Sequence, residues 1–283
     1  MIPVFVIFDN QLIFMICFPN CKINIGLYVT AKRPDSYHNI ETIFYPVPLH
    51  DALEVIESDK NEFTQSGITI PGNREANLCL RAYDILQRKF KLPPVKIHLH
   101  KVIPTRAGLG GGSSNAAFMI KLLNDVFSLN MNIPQMQEIA ANLGSDCSFF
   151  IENTPVFATS RGDVFENIEF DLSNYYIVLA KPDLHISTPE AFSLVTPKCA
   201  PFLLKEINVT EISEWKDFVN NDFEKVAFHK FPEIKAIKEK MYELGAVYAS
   251  MSGSGSAVYG IFEKEIDTKS LFNNCFVWQG KLT

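Results

Sequence analysis

The 283-residue sequence lacks an excess of basic residues, clustered cysteines and an apolar run long enough to cross a membrane. Its 26 lysines and arginines are outnumbered by 32 aspartates and glutamates, so the net charge of -6 offers polyanions no general attraction. We therefore expect no nucleic-acid or membrane partner, and an anion must be bound at a local site. The six cysteines include no Cys-X-X-Cys pair, which predicts free thiols in a reducing cytoplasm and no zinc site.

The N-terminal segment MIPVFVIFDNQLIF, residues 1–14, is apolar but has no basic residues, and Asp9 and Asn10 interrupt it. It is shorter than the ~20 residues of a membrane-spanning helix, so it predicts neither an anchor nor a signal peptide. A better-patterned strand opens at Met15. Residues 1–14 are therefore either an added strand or the result of an upstream translation start, and both alternatives stay open.

The length predicts two domains, since a domain has about 150 residues. Hydrophobic residues make up 47% of the chain and charged residues 20%, which is enough apolar material for a buried core. No linker or repeat separates the two parts, so we expect closely packed domains with limits of 1–155 and 156–283.

Hydrophobic periodicity predicts the elements around a candidate site. The alternation in KINIGLYV predicts a half-buried strand over 22–29, and VKIHLHKVIP predicts another strand from residue 95. Helices are predicted over 74–90 and 114–128, from Pro134 to Gly144, and from Pro232 to Gly245. Further short strands are predicted at 51–57, 67–70, 247–251 and 256–262.

A glycine-rich segment, IPTRAGLGGGSSNAA at 103–117, connects a predicted strand to the start of a predicted helix. Such a helix start exposes N–H groups and a partial positive charge, and glycines let the backbone approach a ligand closely. Ser113 and Ser114 add hydroxyls that can cap the helix, touch phosphate or ligate a metal. The segment therefore predicts a phosphate-binding loop, although it is neither a Walker A loop nor a dinucleotide fingerprint. A flexible connection is the alternative.

This loop resembles the P-X-X-X-G-L-G-(X-X)-S-S-X-A-A loop of the kinase superfamily that includes galactokinase, homoserine kinase, mevalonate kinase and phosphomevalonate kinase. Three further stretches agree in order and spacing: PNCKINIGLYVTAKRPDSYHNIET at 19–42, LGSDCSFF at 143–150 and MSGSGSAVYG at 251–260. The resemblance covers residues 16 to about 262. The two additional glycines resemble the branch of non-mevalonate isoprenoid biosynthesis that phosphorylates a cytidine diphosphate-linked polyol.

The resemblance implies a two-domain α+β fold, with an N-terminal domain like ribosomal protein S5 domain 2, a ferredoxin-like C-terminal domain, and the active site in the cleft between. It implies ATP as co-substrate, with Mg²⁺ held mainly by the phosphates and by Ser114. The implied ATP-binding residues are Pro104, Gly108, Leu109, Gly110, Gly111, Gly112, Ser113 and Ser114. The partners would be small molecules, and the chain would be a monomer or a homodimer.

Lys22 and Asp146 match the family's catalytic lysine and aspartate. As a pair, the lysine would keep the aspartate ionised and help to orient the acceptor hydroxyl. Asp146 would act as a base or as an electrostatic positioner, and the sequence leaves this open. From the residues alone, Asp146 could instead cap the turn DCSFF, and Lys22 could be a solvated strand residue.

The resemblance also implies substrate-binding residues. Asn24 shares the strand face of Lys22, and Tyr37 with His38 would hold the cytosine ring by stacking and hydrogen bonding. Thr188 would lie near the substrate and Phe192 would give a second stacking surface. The alternatives are ordinary sheet-end hydrogen bonding for Asn24, a surface pair for the tyrosine and histidine, a core role for the phenylalanine, and a plain tight turn for MSGSGS.

Two positions depart from the branch pattern: Ser36 replaces a glycine, and Arg106 brings a cation into the phosphate loop. Two other functions stay open at this point. One is a sister kinase that acts on homoserine or a mevalonate-type acceptor, and the other is a nucleotide-binding protein without catalysis. Tyr37, His38 and the GGGSS form of the loop oppose the first alternative, and the presence of both Lys22 and Asp146 opposes the second.

Overall fold

The computed structural model describes residues 4–8, 12–268 and 271–283. The strands are β1 (Val4–Phe8), β2 (Leu12–Cys17), β3 (Asn20–Lys32), β4 (His38–His50), β5 (Ala52–Glu57), β6 (Glu62–Gly67), β7 (Val95–Lys101), β8 (Val156–Thr159), β9 (Val164–Asn167), β10 (Tyr176–Pro182), β11 (Tyr248–Met251), β12 (Val258–Phe262) and β13 (Cys275–Lys281). The α-helices are α1 (Leu78–Phe90), α2 (Gly111–Val126), α3 (Ile133–Ala141), α4 (Phe149–Glu152), α5 (Thr188–Leu194), α6 (Glu224–Lys230) and α7 (Pro232–Glu243). Short 3-10 helices occupy Arg74–Ala76, Leu204–Val209 and Ile212–Asp217.

The described chain divides into two compact units that are not contiguous in sequence. The first unit comprises the described residues up to 21, together with 49–105 and 110–153. The second comprises 22–48, 106–109 and the described residues from 154 onward. The domain limits of 1–155 and 156–283 stay a prediction. Among the helices that the structure describes, none has both the length and the apolar character needed to span a membrane.

The first unit is built on a five-stranded sheet with the order β1-β2-β5-β7-β6. Its pairs are antiparallel except β6 with β7, whose parallel pairing requires the crossover that α1 provides. Helices α1 and α2 pack against each other, and α2 also lies on β2 and β5. In β7, Val95, Ile97 and Leu99 are buried on one face, as the alternation predicted. Of the apolar segment 1–14, residues 1–3 and 9–11 lie outside the described residues.

Four predicted elements of the first unit differ from the structure. The helix predicted from Pro134 to Gly144 spans Ile133–Ala141, because Asn142 is its C-cap and Gly144 lies beyond it. The strand predicted at 67–70 is wrong, because β6 spans Glu62–Gly67 and ends where Gly67 turns with a φ of 76°. The helix predicted over 74–90 is divided at Asn77, whose side chain accepts from Cys79 N and caps α1. The helix predicted from 114 begins at Gly111, since the left-handed Gly110 ends the loop just before it.

The second unit holds two four-stranded sheets, with the orders β3-β4-β8-β9 and β11-β12-β10-β13. Helix α7 packs on β10, β11 and β12, and it starts and stops as predicted, with Pro232 in its first turn and Gly245 at a φ of 92°. The prediction that 22–29 is half-buried is wrong, because both faces of β3 are buried over this range. Residues 220–222 cover its second edge, with a backbone bond from Leu27 N to Asn220 O of 2.9 Å.

Candidate active site

Lys22, in β3, is a buried cation that contacts the part of the glycine loop assigned to the second unit, residues 106–109. Its ammonium nitrogen donates to Asn24 Oδ1 at 2.6 Å and to the carbonyl oxygen of Gly108 at 3.2 Å. The same nitrogen lies 4.7 Å from the centre of the Phe44 ring, a cation–π distance. Lys22 is only 3% exposed, which excludes the alternative of a solvated strand lysine. The structure therefore brings together Lys22, Asn24 and Gly108.

Asn24 is fixed in its main chain and in its side chain. Its N–H donates to Ser252 Oγ at 3.2 Å, and its carbonyl accepts from Tyr259 Oη at 2.8 Å. Its amide nitrogen donates to Thr42 Oγ1 at 3.0 Å. Because every polar group of the side chain has a partner, the amide can stay buried at low cost, and it holds its oxygen toward Lys22.

Gly108 is required by a close backbone contact with the segment 251–256. It has a φ of 81°, and a Cβ at this position would lie 1.9 Å from the carbonyl oxygen of Ser252. A Cβ on Gly255 would lie 2.3 Å from the carbonyl carbon of Ala107. Ser252 Oγ donates to Gly108 O at 2.9 Å. The small residues of MSGSGS thus form the turn between β11 and β12 and also permit a backbone-to-backbone contact inside the second unit.

The other half of the glycine loop opens α2 in the first unit. Gly110 is left-handed with a φ of 68°, and a Cβ on Gly111 would lie 2.8 Å from Ile103 Cγ2. A Cβ on Gly112 would meet no atom within 4 Å. Ser114 is completely buried, yet its hydroxyl makes no hydrogen bond to any residue that the structure describes. An unpartnered buried hydroxyl beside a helix start is suited to a ligand oxygen or a cation.

A buried carboxylate, Asp51, joins both ends of this loop within the first unit. Asp51 Oδ1 accepts from the main-chain N–H groups of Val102 at 2.7 Å and Ile103 at 2.9 Å. Asp51 Oδ2 accepts from Lys101 Nζ at 2.6 Å and from Asn115 Nδ2 at 2.8 Å. Burial lowers the pKa of Lys101, and the charge of Asp51 opposes this change. One carboxylate therefore fixes the chain before the glycines and the helix after them.

Asp146 lies in the turn between α3 and α4 of the first unit and is half-buried. Helix α4 begins at Phe149 with Ser148 at its N-cap position, so Asp146 does not cap this helix. Its neighbour Cys147 is buried, and this burial is the main reason that the pKa of the thiol is raised to about 11. A hydrogen bond with Ser113 lowers the pKa of Cys147, and the charge of Asp146 raises it. Ser113 and the Asp146 turn thus share one region of the first unit.

The residues expected to bind cytosine form two aromatic contacts in the second unit. The His38 and Phe192 rings are stacked, with centroids 5.0 Å apart and an interplanar angle of 19°. Tyr37 is 58% exposed, and its ring faces the Arg161 guanidinium at 5.2 Å instead of Phe192. Phe192 is half-buried and packs edge-on against Phe223 at 4.8 Å, so it belongs partly to the core.

Thr188 is exposed in the first turn of α5, and its hydroxyl lies 3.0 Å from Ser254 Oγ. The hydroxyl pair places Thr188 beside the segment 251–256, whose Ser252 holds the main chain of Asn24. The second unit therefore gathers Thr188, Asn24 and Lys22 around this segment. In the first unit, the structure gathers Ser113 with the Asp146 turn, and Ser114 with the helix start.

The two departures from the branch pattern have the same structural consequence. Ser36 has a φ of 68° and Arg106 a φ of 54°, so both occupy left-handed conformations that favour glycine. Around Ser36 the turn still closes, because Arg33 N donates to Tyr37 O at 2.8 Å and Tyr37 N donates to Asp35 Oδ1 at 3.1 Å. Arg106 is exposed. The serine and the arginine therefore hold left-handed backbone conformations at a cost in strain.

Sequence reasoning missed Asp51, Lys101, Asn115, Thr42 and Ser252. One signal for Lys101 was present: the period-two alternation of Val95, Ile97 and Leu99 continues to residue 101 and predicts a buried position. A lysine on a buried face needs a carboxylate partner. No comparable signal marks Thr42 or Ser252, whose roles depend on contacts with distant residues.

Two family models match the chain: GHMP kinases N terminal domain over residues 77–153, and GHMP kinases C terminal over 203–274. These matches and the mixed α and β content define the class as a two-domain α+β kinase of the GHMP type. Curated relatives named 4-diphosphocytidyl-2-C-methyl-D-erythritol kinase come from Parabacteroides distasonis, 53% identical over 271 residues, and Bacteroides fragilis, 50% identical over 273 residues. Each alignment covers 95% of this chain and 100% of the relative.

A crystal structure of 4-(cytidine 5'-diphospho)-2C-methyl-D-erythritol kinase superposes with a TM-score of 0.77 at 30% identity, covering 94% of this chain and 98% of the other. The chain therefore belongs to the 4-diphosphocytidyl-2-C-methyl-D-erythritol kinase family. Membership confirms the resemblance that the glycine loop and its three companion stretches indicated.

Proposed function

We propose that this chain transfers the γ-phosphoryl group of ATP to the 2-hydroxyl of 4-diphosphocytidyl-2-C-methyl-D-erythritol, giving the 2-phosphate and ADP for isoprenoid precursor biosynthesis. The observation that carries the proposal is the buried ammonium group of Lys22, held 3.2 Å from the Gly108 carbonyl inside the glycine loop. A cation fixed at such a loop can stabilise the charge of a transferring phosphoryl group.

The ATP phosphates are proposed to bind at the glycine loop. The residues are Pro104, Gly108, Leu109, Gly110, Gly111, Gly112, Ser113 and Ser114. Main-chain N–H groups at the start of α2 would hold phosphate oxygens, and the open space at Gly112 would admit them. The unpartnered hydroxyl of Ser114 fits a Mg²⁺ ligand or a phosphate contact. When bound, Mg²⁺ would neutralise part of the phosphate charge.

Lys22 and Asp146 are proposed as the catalytic residues. The acceptor oxygen forms a bond to the γ-phosphorus as the bond to the β–γ bridging oxygen breaks, and ADP leaves with that oxygen. The hydroxyl proton passes to the Asp146 carboxylate, either during or after the transfer. Lys22 would stabilise the developing charge, and Asn24, which holds the ammonium at 2.6 Å, would align it with the acceptor.

The cytidine end of the acceptor is proposed to bind at Tyr37, His38, Thr188 and Phe192. The stacked His38 and Phe192 rings support this proposal, because they place two aromatic side chains together in this part of the second unit. A cytosine ring can stack on these aromatic faces while a histidine nitrogen bonds its polar edge. The exposed Tyr37 ring offers a further face.

The finer features of the fold are also proposals. The order β11-β12-β10-β13 is that of a split β-α-β arrangement, which supports a ferredoxin-like C-terminal domain over 156–283. We propose an ATP-binding N-terminal domain over 1–155, similar to ribosomal protein S5 domain 2. All six cysteines are free thiols, which supports an enzyme that works in the cytoplasm.

ADP release tests the function. The purified chain is mixed with Mg²⁺ and ATP, with or without the cytidine substrate, homoserine or mevalonate, and the product is identified by ³¹P NMR. We expect ADP and a new phosphomonoester with the cytidine substrate alone. ADP with another acceptor would assign the chain to a sister kinase. ATP binding without ADP from any acceptor would indicate a nucleotide-binding protein.

A further inference from the structure

A buried chain of hydrogen bonds in the second unit starts at a main-chain carbonyl and ends at Lys22. The Thr42 hydroxyl donates to Gly26 O at 2.6 Å. Thr42 Oγ1 in turn accepts from Asn24 Nδ2 at 3.0 Å, and Asn24 Oδ1 accepts from Lys22 Nζ at 2.6 Å. Thr42 is completely buried, Asn24 is 2% exposed and Lys22 3% exposed, so water has little access to this chain of bonds.

The two ends of this chain fix the direction of every bond in it. A carbonyl oxygen such as that of Gly26 only accepts, and an ammonium group such as that of Lys22 only donates. The Thr42 hydroxyl has one hydrogen, which points to Gly26 O; its longer alternative, Ile43 O at 3.5 Å, is also a carbonyl. In either case a lone pair of the hydroxyl faces Asn24, which must present its NH₂ group there.

The orientation of the Asn24 amide therefore depends on Thr42. With its nitrogen held by Thr42, the amide turns its oxygen toward Lys22. The reverse orientation would place an NH₂ group against the Lys22 ammonium, donor against donor. Ser252 and Tyr259 hold the main chain of Asn24, so this residue can change its conformation mainly through its side-chain torsion angles.

We propose that Thr42 is a positioning residue for phosphoryl transfer, which acts through Asn24 to hold the Lys22 ammonium at the glycine loop. The proposal rests on the proposed function, since it needs Lys22 to act in that reaction. Thr42 itself touches neither ATP nor acceptor in this mechanism. Without the hydroxyl, the Asn24 nitrogen loses its buried acceptor, the amide moves to find another, and its oxygen leaves Lys22.

Two substitutions of Thr42 test this role. Thr42→Val keeps the shape of the side chain and removes the hydroxyl, whereas Thr42→Ser keeps the hydroxyl. We expect Thr42→Val to lower kcat by about 10- to 100-fold, as misplacement of a reacting group does. The KM for ATP should change less than twofold, because the phosphate-binding amides are untouched. Thr42→Ser should recover most of the lost kcat.

The matched control is Thr64→Val, in β6 of the first unit, which also removes a threonine hydrogen bond, of 2.8 Å to His98 Nδ1. A purely structural role for Thr42 would lower the melting temperature and the folded fraction, and would leave the kcat of the folded enzyme unchanged. Equal kcat values for Thr42→Val and Thr42→Ser, corrected for folded fraction, would overturn the proposal.

A measurement on the wild-type chain covers the case in which Thr42→Val does not fold. With ¹⁵N-asparagine labelling, the side-chain NH₂ pair of Asn24 is assigned by its loss in Asn24→Asp. We expect slow exchange of this pair with solvent, because it is buried and bonded to Thr42. Rapid exchange would contradict the hydrogen-bond chain. A wild-type chain that shows slow exchange but releases no ADP would refute the proposed function, and with it the part of Thr42 in transfer, while the hydrogen-bond chain itself would stand.

Discussion

Asp51 and Lys101 form a buried ion pair, with Asp51 Oδ2 and Lys101 Nζ 2.6 Å apart and side-chain exposures of 0% and 2%. Breaking such a pair is costly, because it leaves one charge buried without a partner. Here the same carboxylate also accepts from Val102, Ile103 and Asn115. The pair is therefore part of the support of the glycine loop, and its surroundings predict how ATP binding responds to substitution.

Asn115→Ala should weaken ATP binding more than it slows transfer. The substitution removes the bond between α2 and Asp51 and leaves the Asp51–Lys101 pair in place. We expect the KM for ATP to rise about tenfold, which corresponds to about 1.4 kcal/mol, and the KM for the cytidine substrate to stay within twofold. The control is Asn61→Ala, which removes acceptor bonds to Tyr83 Oη and Val95 N at the other end of β7. Equal effects of both variants on the KM for ATP would contradict this role.

Gly108 and Gly112 should respond differently to alanine. In Gly108→Ala, the new Cβ would collide with the Ser252 carbonyl and the alanine would have to adopt a left-handed φ. We therefore expect a lower melting temperature and less folded protein. Gly112→Ala meets no neighbouring atom and lies in the first turn of α2, where alanine favours a helix. It should keep or raise the melting temperature and yet raise the KM for ATP, because only a ligand needs that space. An unchanged KM for Gly112→Ala would place the phosphates elsewhere.

Asp146→Asn should lower kcat by about 10²–10⁴-fold and leave ATP affinity largely intact, because the amide cannot take the acceptor proton. Steady-state kinetics with ADP detection and nucleotide titration would measure both quantities. Asp84→Asn, on the exposed surface of α1, is the control for a loss of charge in the same unit. Near-normal turnover of Asp146→Asn would remove Asp146 from the mechanism.

Phe192→Ala should raise the KM for the cytidine substrate about tenfold or more and leave the KM for ATP unchanged. The substitution removes the ring stacked on His38, and aromatic stacking with a base contributes about 1–3 kcal/mol. Phe202→Ala, which removes a ring 4.7 Å from that of Phe218 in the same unit, controls for lost packing. If both variants change the two KM values alike, Phe192 acts through the core only.

Alkaline pH should destabilise the fold through its buried thiols. Burial raises the pKa of Cys147 to about 11 and that of Cys79 further above its ordinary value of 9.0. Because the folded pKa is higher than the unfolded one, this stability is complete below pH 9 and is lost as pH rises toward 11. Denaturant unfolding of Cys147→Ala at pH 8 and pH 10.5 should show a smaller loss than the wild type. Cys199→Ala, at an exposed thiol, should lose as much as the wild type.

The short helices could not be predicted from the sequence. Helix α7 was predictable because twelve residues repeat an apolar pattern between Pro232 and Gly245. Helices α5 and α6 have seven residues each, too few for a periodic pattern, and β13 has half-buried residues at all positions before Lys281. The sequence likewise predicts a strand at 67–70, whereas the polar edge strand β6 spans Glu62–Gly67. Such elements depend on their partners, since their own sequences favour no single structure.

The sequence by itself was enough to indicate the kinase family, through the resemblance of its motifs, and to predict a phosphate loop with Lys22 and Asp146 as catalytic candidates, because glycine spacing and helix signals are local properties of the chain. The tertiary structure decided which residues support them. Asn24 binds Ser252 across 228 positions and Thr42 across 18, and Asp51 binds Asn115 across 64. A buried polar group is stable only with its partner in place, and that partner is chosen by the folding of distant segments.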